Sequence, residues 1–206
     1  MHRENYLIFV LIWTMLGGSP PDATVQVKQR GTGTGSGTVI RLTADGHAHD
    51  VIITAAHVVS ASDDCEIVRL HSRHPARVLS RDHVGDVAIV AGIDGFEWPH
   101  VISRNTRDLP ASGARLVTWG YPSTRPNGPW KIETEIVGNR RYVDGSIATR
   151  YAVDAGHSGG GLFLGDELIS VCSARSPSDN TSVFAPIAAV QNILDRSRGL
   201  ICRGGT

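Results

Sequence analysis

No charge imbalance marks this chain: 20 basic and 20 acidic side chains leave a formal net charge of +0 over 206 residues. That removes the electrostatic case for a nucleic-acid partner or an anionic membrane surface, both of which call for clustered basic side chains. Charged residues are scarce at 19%, against 41% hydrophobic, which excludes a disordered chain too polar to bury a core. Cysteine is scarce too. Cys65, Cys172 and Cys202 allow at most one intramolecular bridge and leave one thiol over. A bond between Cys172 and Cys202, which share a half of the chain, would tie the last strands to the tail.

Nor is there an apolar run long enough to cross a bilayer. Behind the weakly positive Met1-His2-Arg3, residues 6–16 are almost unbroken apolar, but a spanning helix needs roughly 20. Such a segment reads as a secretory signal peptide over residues 1–23, cleaved within Gly17-Gly18-Ser19-Pro20-Pro21-Asp22-Ala23, with an uncleaved anchor as the lesser alternative. The expected location is therefore secreted or periplasmic, with no stable membrane association after signal removal. The Gly/Thr stretch over residues 31–38 lacks the lysine of a P-loop and reads as a flexible surface turn. His47, His49, His71, His74 and His83 show His-x-His and His-x-x-His spacings but lack a matching set of Cys or acidic partners. No metal and no cofactor are expected.

What the chain does have is turns. Its 23 glycines and 10 prolines divide short β-branched and apolar runs, the pattern of a sandwich or barrel. The first half offers strands at 25–29, 37–42, 51–54, 65–70, 76–80 and 87–90. The second offers 115–120, 130–138, 149–153, 161–163, 167–173 and 182–185. Between them, Gly92, Gly95, Pro99 and Pro110 interrupt the pattern. After Pro186, apolar residues at helical spacing predict a closing helix over about 187–196, packed on the second half.

Three segments carry chemistry. Gly156-His157-Ser158-Gly159-Gly160 offers a serine in a glycine-rich turn, where the N–H groups of Gly156 and Ser158 could converge as an oxyanion hole. Val51-Ile52-Ile53-Thr54 reads as a buried strand leading through two alanines to His57. Asp86 abuts the strand beginning at Val87; Asp82, four positions earlier, is its competitor. A serine hydroxyl needs a base to take its proton, and the base needs a carboxylate to fix its tautomer. Ser158, His57 and Asp86 supply those three types.

In this order the motifs resemble those of the chymotrypsin-like serine peptidases, and within them the compact bacterial branch that includes the HtrA and glutamyl endopeptidases. The resemblance covers roughly residues 25–194. Gly35-Ser36-Gly37-Thr38-Val39-Ile40 is similar to the family's opening strand, Thr54-Ala55-Ala56-His57 to its histidine motif, Asp86 to Val90 to its aspartate motif, and Asp154 to Gly160 to its serine loop. It implies an all-β fold of two six-stranded antiparallel Greek-key barrels, with the active site in the crevice between them. Residues 24–98 would form the barrel of His57 and Asp86, and residues 99–206 that of Ser158.

The function implied is hydrolysis of peptide bonds in polypeptide substrates through an acyl-enzyme, with no appended PDZ module expected in so short a chain. Matched to the family's pocket, Ala152, Ser173, Ala174 and Ser182 would bind substrate. None is charged, which implies a small or medium uncharged residue before the cut, or an acidic one drawn by Arg175. Two departures stand out. His157 occupies the place of an aspartate in the digestive peptidases, so activation by an N-terminal ion pair is not expected, and Gly161 replaces a usual proline. Both predict a looser serine loop that substrate must order. A catalytically inactive relative binding peptides is the alternative, favoured if His157 blocks the oxyanion hole. Asn180-Thr181-Ser182 fits a glycosylation acceptor.

Overall fold

The computed structural model describes residues 18–31, 33–93, 97–105, 108–125, 127–141, 145–176 and 178–203. The signal-peptide reading falls mainly on residues 1–17, outside the described residues. Among the described residues, no helix is long and apolar enough to cross a membrane.

Strands β1 (Thr24–Gln29), β2 (Gly33–Ala44), β3 (His47–Thr54), β4 (Asp64–Arg69), β5 (Ser72–Asp82) and β6 (Val87–Gly92) close into a barrel in the order β1-β2-β3-β6-β5-β4. Strands β7 (Arg115–Gly120), β8 (Trp130–Arg141), β9 (Ile147–Arg150), β10 (Gly161–Leu164), β11 (Glu167–Ser176) and β12 (Thr181–Phe184) close a second in the order β10-β11-β12-β9-β8-β7. Neighbouring strands are antiparallel throughout. Two closed six-stranded antiparallel barrels are the fold class that the motifs imply. Closure pairs every strand on both sides, so no long edge is left to template aggregation.

β-Branched residues fill the first barrel: Val25, Val27, Val39, Ile40, Ile52, Ile53, Ile67, Ile89 and Val90 are fully buried. Truncating one such side chain to alanine typically costs about 2–5 kcal/mol, because the lining closes only partly over the void. Phe163, Leu168, Val171 and Ala185 of the second barrel join this same core, so the two barrels meet through apolar contact. The connector runs between them. Val101 N donates to Val39 O at 3.0 Å, and Arg104 N to Leu168 O at 2.9 Å, which stitches one stretch of chain to both barrels.

Four expectations are corrected. Gly31 stands in an exposed turn and residue 32 lies outside the described residues, but the rest of the 31–38 stretch is not a loose turn: β2 begins at Gly33, and Ser36 and Thr38 are fully buried. The glycines there serve close packing, since a Cβ on Gly35 would lie 2.5 Å from Val58 Cγ2 and 2.8 Å from Ser158 O. The strand expected at 149–153 is β9, which stops at Arg150; Tyr151 turns out of it with φ +64°.

The closing helix, α2 (Ile187–Arg203), follows the four-residue helix α1 (Pro20–Ala23) in our numbering and runs well past residue 196. It packs on the first barrel, not the second: Ala189, Val190, Ile193 and Leu194 belong to that barrel's core, while Ile187 reaches the other. Gly85 lets it approach, because a Cβ there would sit 2.4 Å from Ala189 Cβ. Finally, Cys65, Cys172 and Cys202 are all free thiols, with Cys172 buried and Cys202 exposed.

Candidate active site

The register of β3 against β6 brings the histidine to the aspartate. Thr54 pairs with Ala88, so antiparallel continuation carries the chain after Thr54 alongside the residues just before Val87. Buried Ala55 and Ala56 are small enough to turn there into a 3-10 helix (Ala56–Val59) that holds His57 on its exposed side. Asp86 ends the preceding turn in a left-handed conformation, φ +52°. Its carboxylate takes both of His57's near groups: Oδ1 accepts the backbone N–H at 2.9 Å, and Oδ2 lies 2.8 Å from Nδ1.

Two contacts to one carboxylate fix the ring's orientation as well as its distance. With the Nδ1 proton held by Asp86, Nε2 is the free basic nitrogen. Asp82 does different work. Its Oδ1 accepts the N–H groups of Val84 and Gly85 at 3.1 and 3.0 Å, and its Oδ2 lies 3.5 Å from Arg196 Nη2 on α2.

A third donor reaches Asp86 from the other barrel. Ser173 Oγ donates to Oδ2. Ser173 is the extra residue of a bulge in β11, where pairing with β12 slips between Cys172 and Ala174, and a bulge re-aims a side chain that regular pleating would send elsewhere. Burial pushes the Asp86 carboxyl upward, but the hydrogen bonds from His57 and Ser173 outweigh it, and the net shift is downward. His57 moves the opposite way: its hydrogen bond to Asp86 exceeds the cost of burial, so the imidazolium persists above the ordinary 6.5.

The serine loop is pinned plane by plane. Ala155 O accepts from Ser123 N at 2.7 Å, Gly156 O from Ser36 Oγ at 2.6 Å, His157 O from Gly160 N at 2.7 Å and Ser158 O from Ser36 N at 2.7 Å. In a trans peptide the N–H points opposite to the carbonyl. Hence the bonds at Ala155 O and His157 O aim the N–H groups of Gly156 and Ser158 away from those partners. Neither N–H donates to any group among the described residues.

This is a firmer loop than the one expected from the departures at His157 and Gly161. Glycine is required within it. Gly156 and Gly159 hold φ of +94° and +84°, and a Cβ on Gly159 would fall 2.2 Å from both Ser36 O and Thr54 Oγ1. That close approach is what lays the serine loop against the end of β3, three residues before His57. No hydrogen bond joins Ser158 Oγ to His57 among the described residues; such bonds are commonly long until substrate binds.

His157 is fully buried, its ring filling the space left by Gly120, where a Cβ would meet Cδ2 at 2.6 Å. It therefore lies in the protein interior. Burial holds its pKa below the ordinary value against a smaller upward pull from the Trp130 backbone and Asp154.

The residues matched to the specificity pocket are held by short polar bonds. Ser182 Oγ is buried, accepts from Val153 N at 2.9 Å and donates to Tyr151 O at 2.7 Å, while Asn180 Oδ1 accepts from Ala152 N at 3.1 Å. These bonds strap the 151–153 segment to β12. Ala174 is exposed beside Val183 on the β11–β12 ladder, and Arg175 is exposed next to it.

Among the described residues, no cluster of three metal-ligating side chains occurs; His74 instead packs edge-on against Trp98, centroids 4.9 Å apart. Sequence reasoning missed Ser36, Thr54 and Ser123 as parts of the loop's support. Only the glycines flanking Ser36 signalled the close approach.

The profile of the trypsin-like peptidase domain matches residues 35–168, more than half of the chain. The chain is 29% identical over 154 residues to protease Do-like 4, mitochondrial, of Arabidopsis thaliana, covering 69% of this chain and 29% of that protein. It is 28% identical over 174 residues to a serine protease DegP homologue of Plasmodium falciparum, covering 78% of this chain and 19% of that one. The chain thus spans less than a third of the length of either curated relative.

Among solved structures, a serine endoprotease of Yersinia pestis superposes with TM-score 0.70 at 19% identity over 91% of this chain and 65% of its own. The active form of the Rv3671c protease of M. tuberculosis gives 0.67 at 23% over 85% and 81%. From its barrels, its loop geometry and the span of that profile, the chain belongs to the trypsin-like peptidase domain family.

Proposed function

We propose that this protein is a serine endopeptidase in which Ser158 attacks the scissile carbonyl, His57 takes the serine proton and returns it to the leaving amine, and Asp86 orients the imidazole. The N–H groups of Gly156 and Ser158 hold the oxyanion. An acyl-enzyme forms on Ser158 Oγ and is cleaved by water that His57 activates in turn. The observation that carries the reading is the paired contact of one carboxylate with His57 N and Nδ1, on a turn against which the Ser158 loop is packed.

Substrate is an extended polypeptide that adds its backbone to β11 beyond Ser173. Ala152, Ser173, Ala174 and Ser182 border the site for the residue before the cut. Their lack of charge favours a small or medium uncharged residue there. The apolar start of the chain supports export, and N-terminal sequencing of protein recovered from the producing cell checks it: a chain still carrying residues 1–17 would contradict removal of the leader.

The central test is a fluorophosphonate probe on the unmodified protein and on Ser158→Ala. Labelling of the first alone, together with loss of peptide hydrolysis in the second, is the expected result. Equal labelling of both would remove Ser158 as the nucleophile.

A further inference from the structure

Ser36 belongs to the first barrel, yet its hydroxyl and its N–H are both committed to the second barrel. It is fully buried. Its Oγ donates to Gly156 O at 2.6 Å and accepts from Tyr121 N at 2.8 Å. Its N–H donates to Ser158 O at 2.7 Å, and its carbonyl accepts from Thr54 Oγ1 at 2.6 Å. The bonds to Gly156 O and Ser158 O fix the peptide planes on either side of the one that contributes the Ser158 N–H. A plane held between two fixed neighbours has little freedom to rotate. The bond from Tyr121 N also ties that hydroxyl to the chain ahead of Ser123, whose N–H sets the Gly156 N–H through Ala155 O.

We propose that Ser36 is a positioning residue for the oxyanion hole: from the opposite barrel its hydroxyl, bonded to Gly156 O and Tyr121 N, and its N–H, bonded to Ser158 O, hold the peptide planes next to those of the Gly156 and Ser158 amides. No carboxylate at position 157 does this work, since His157 is buried against Gly120. The inference rests on the reading of Gly156 and Ser158 as the oxyanion donors. A group acting through those donors contributes where charge develops on the substrate oxygen, so its removal lowers kcat and leaves KM and the nucleophile's presence intact.

The test compares Ser36→Ala and the near-isosteric Ser36→Cys with Ser170→Ala. Ser170 is an equally buried serine in β11 whose Oγ donates to Ala185 O and not to the serine loop. Each variant is assayed for kcat and KM on succinyl-trialanine p-nitroanilide, for thermal midpoint, and for the rate and end point of fluorophosphonate labelling.

Loss of one oxyanion donor costs about 10²–10³ in kcat; Ser36→Ala is expected to lose about a tenth to all of that range, with KM within about twofold, slower labelling and a full end point. Ser170→Ala should lose stability without that loss of kcat. Ser36→Cys, whose thiol is a weak donor, carries the same expectation in a side chain that still fills the site. A kcat for Ser36→Cys that matches the unmodified protein, or a fall in Ser36→Ala no larger than that in Ser170→Ala, overturns the inference. Hydrolysis that survives Ser158→Ala instead overturns the reading beneath it, and the inference with it.

Discussion

Replacing Asp86 by asparagine keeps the side chain's shape and changes the hydrogen-bonding sense of one atom. The amide oxygen can still accept the His57 backbone N–H, now held at 2.9 Å by Oδ1. The amide nitrogen must then stand where Oδ2 lies 2.8 Å from Nδ1 and receives the Ser173 hydroxyl. An NH2 group cannot accept, so Nδ1 has to become the acceptor and the imidazole proton moves to Nε2. That tautomer presents a donor to the serine, and the base is lost. A wrong tautomer in a triad of this kind costs about 10⁴ in kcat, which at 1.36 kcal/mol per decade is about 5.4 kcal/mol of transition-state stabilisation.

Folding should suffer far less. The Ser173 hydroxyl can rotate to accept from the new amide, leaving weakened bonds worth about 0.5–1.5 kcal/mol each. The assay is kcat on a peptide amide beside thermal unfolding of both proteins. A loss below tenfold in Asp86→Asn would refute the triad argument, as would a loss matched by wholesale unfolding.

The pH dependence supplies a second arm to the same experiment. His57 has its folded value raised from 6.5, so the stability it adds is fully present below 6.5 and fades as pH rises through the folded value. Asp86 has its value lowered from 3.8, so its contribution is present above 3.8 and fades as pH falls through the folded value. The pair therefore stabilises most between those ordinary values, where His57 is charged and idle as a base. In the unmodified protein kcat/KM should rise with pH along a limb centred above 6.5. In Asp86→Asn the residual activity should rise along a lower limb, and the stability gap between the two proteins should narrow from pH 5.5 to pH 8.

Two further outcomes follow from packing. Gly159→Ala places a Cβ 2.2 Å from both Ser36 O and Thr54 Oγ1 at φ +84°, so hydrolysis should vanish and the thermal midpoint fall; a variant with full activity would show that the loop is free to move away. Cys65 and Cys172 are buried, with thiols pushed up to about 11 and about 12, while Cys202 is exposed. In native protein iodoacetamide at pH 8 should therefore modify Cys202 alone, read by mass spectrometry of the intact chain, and a protein lacking any reactive thiol would restore the Cys172–Cys202 bridge.

The strands were legible because β-branched runs bounded by glycine and proline mark buried pleated segments almost regardless of context. His57, Asp86 and Ser158, the proposed triad, were singled out because their local settings are written in neighbouring residues: alanines before the histidine, a strand after the aspartate, glycines around the serine. The side of the molecule chosen by the closing helix was not. Its apolar spacing is satisfied by either barrel, and the choice turns on Gly85, distant in sequence, and on the Arg196–Asp82 contact. The glycines over residues 31–38 misled for a related reason. Glycine signals both flexible turns and close backbone approach, and only the partner across the interface, Ser158 O near Gly35, decides between them.

Apolar and polar contacts divide the work at the join between the barrels. Phe163, Leu168 and Val171 bury against the first core and supply apolar attraction, which is nearly indifferent to a rotation of a few degrees. Catalysis is not, since a misplacement of about 1 Å can cost about 10²-fold. Direction comes from the hydrogen bonds that cross the same join: Ser36 to Gly156, Ser36 to Ser158 and Ser173 to Asp86. Each runs from one barrel to a group that holds or flanks a proposed reacting residue of the other. The interface is thus strong through its carbon and accurate through its hydrogen bonds, and a substitution can weaken either property without the other.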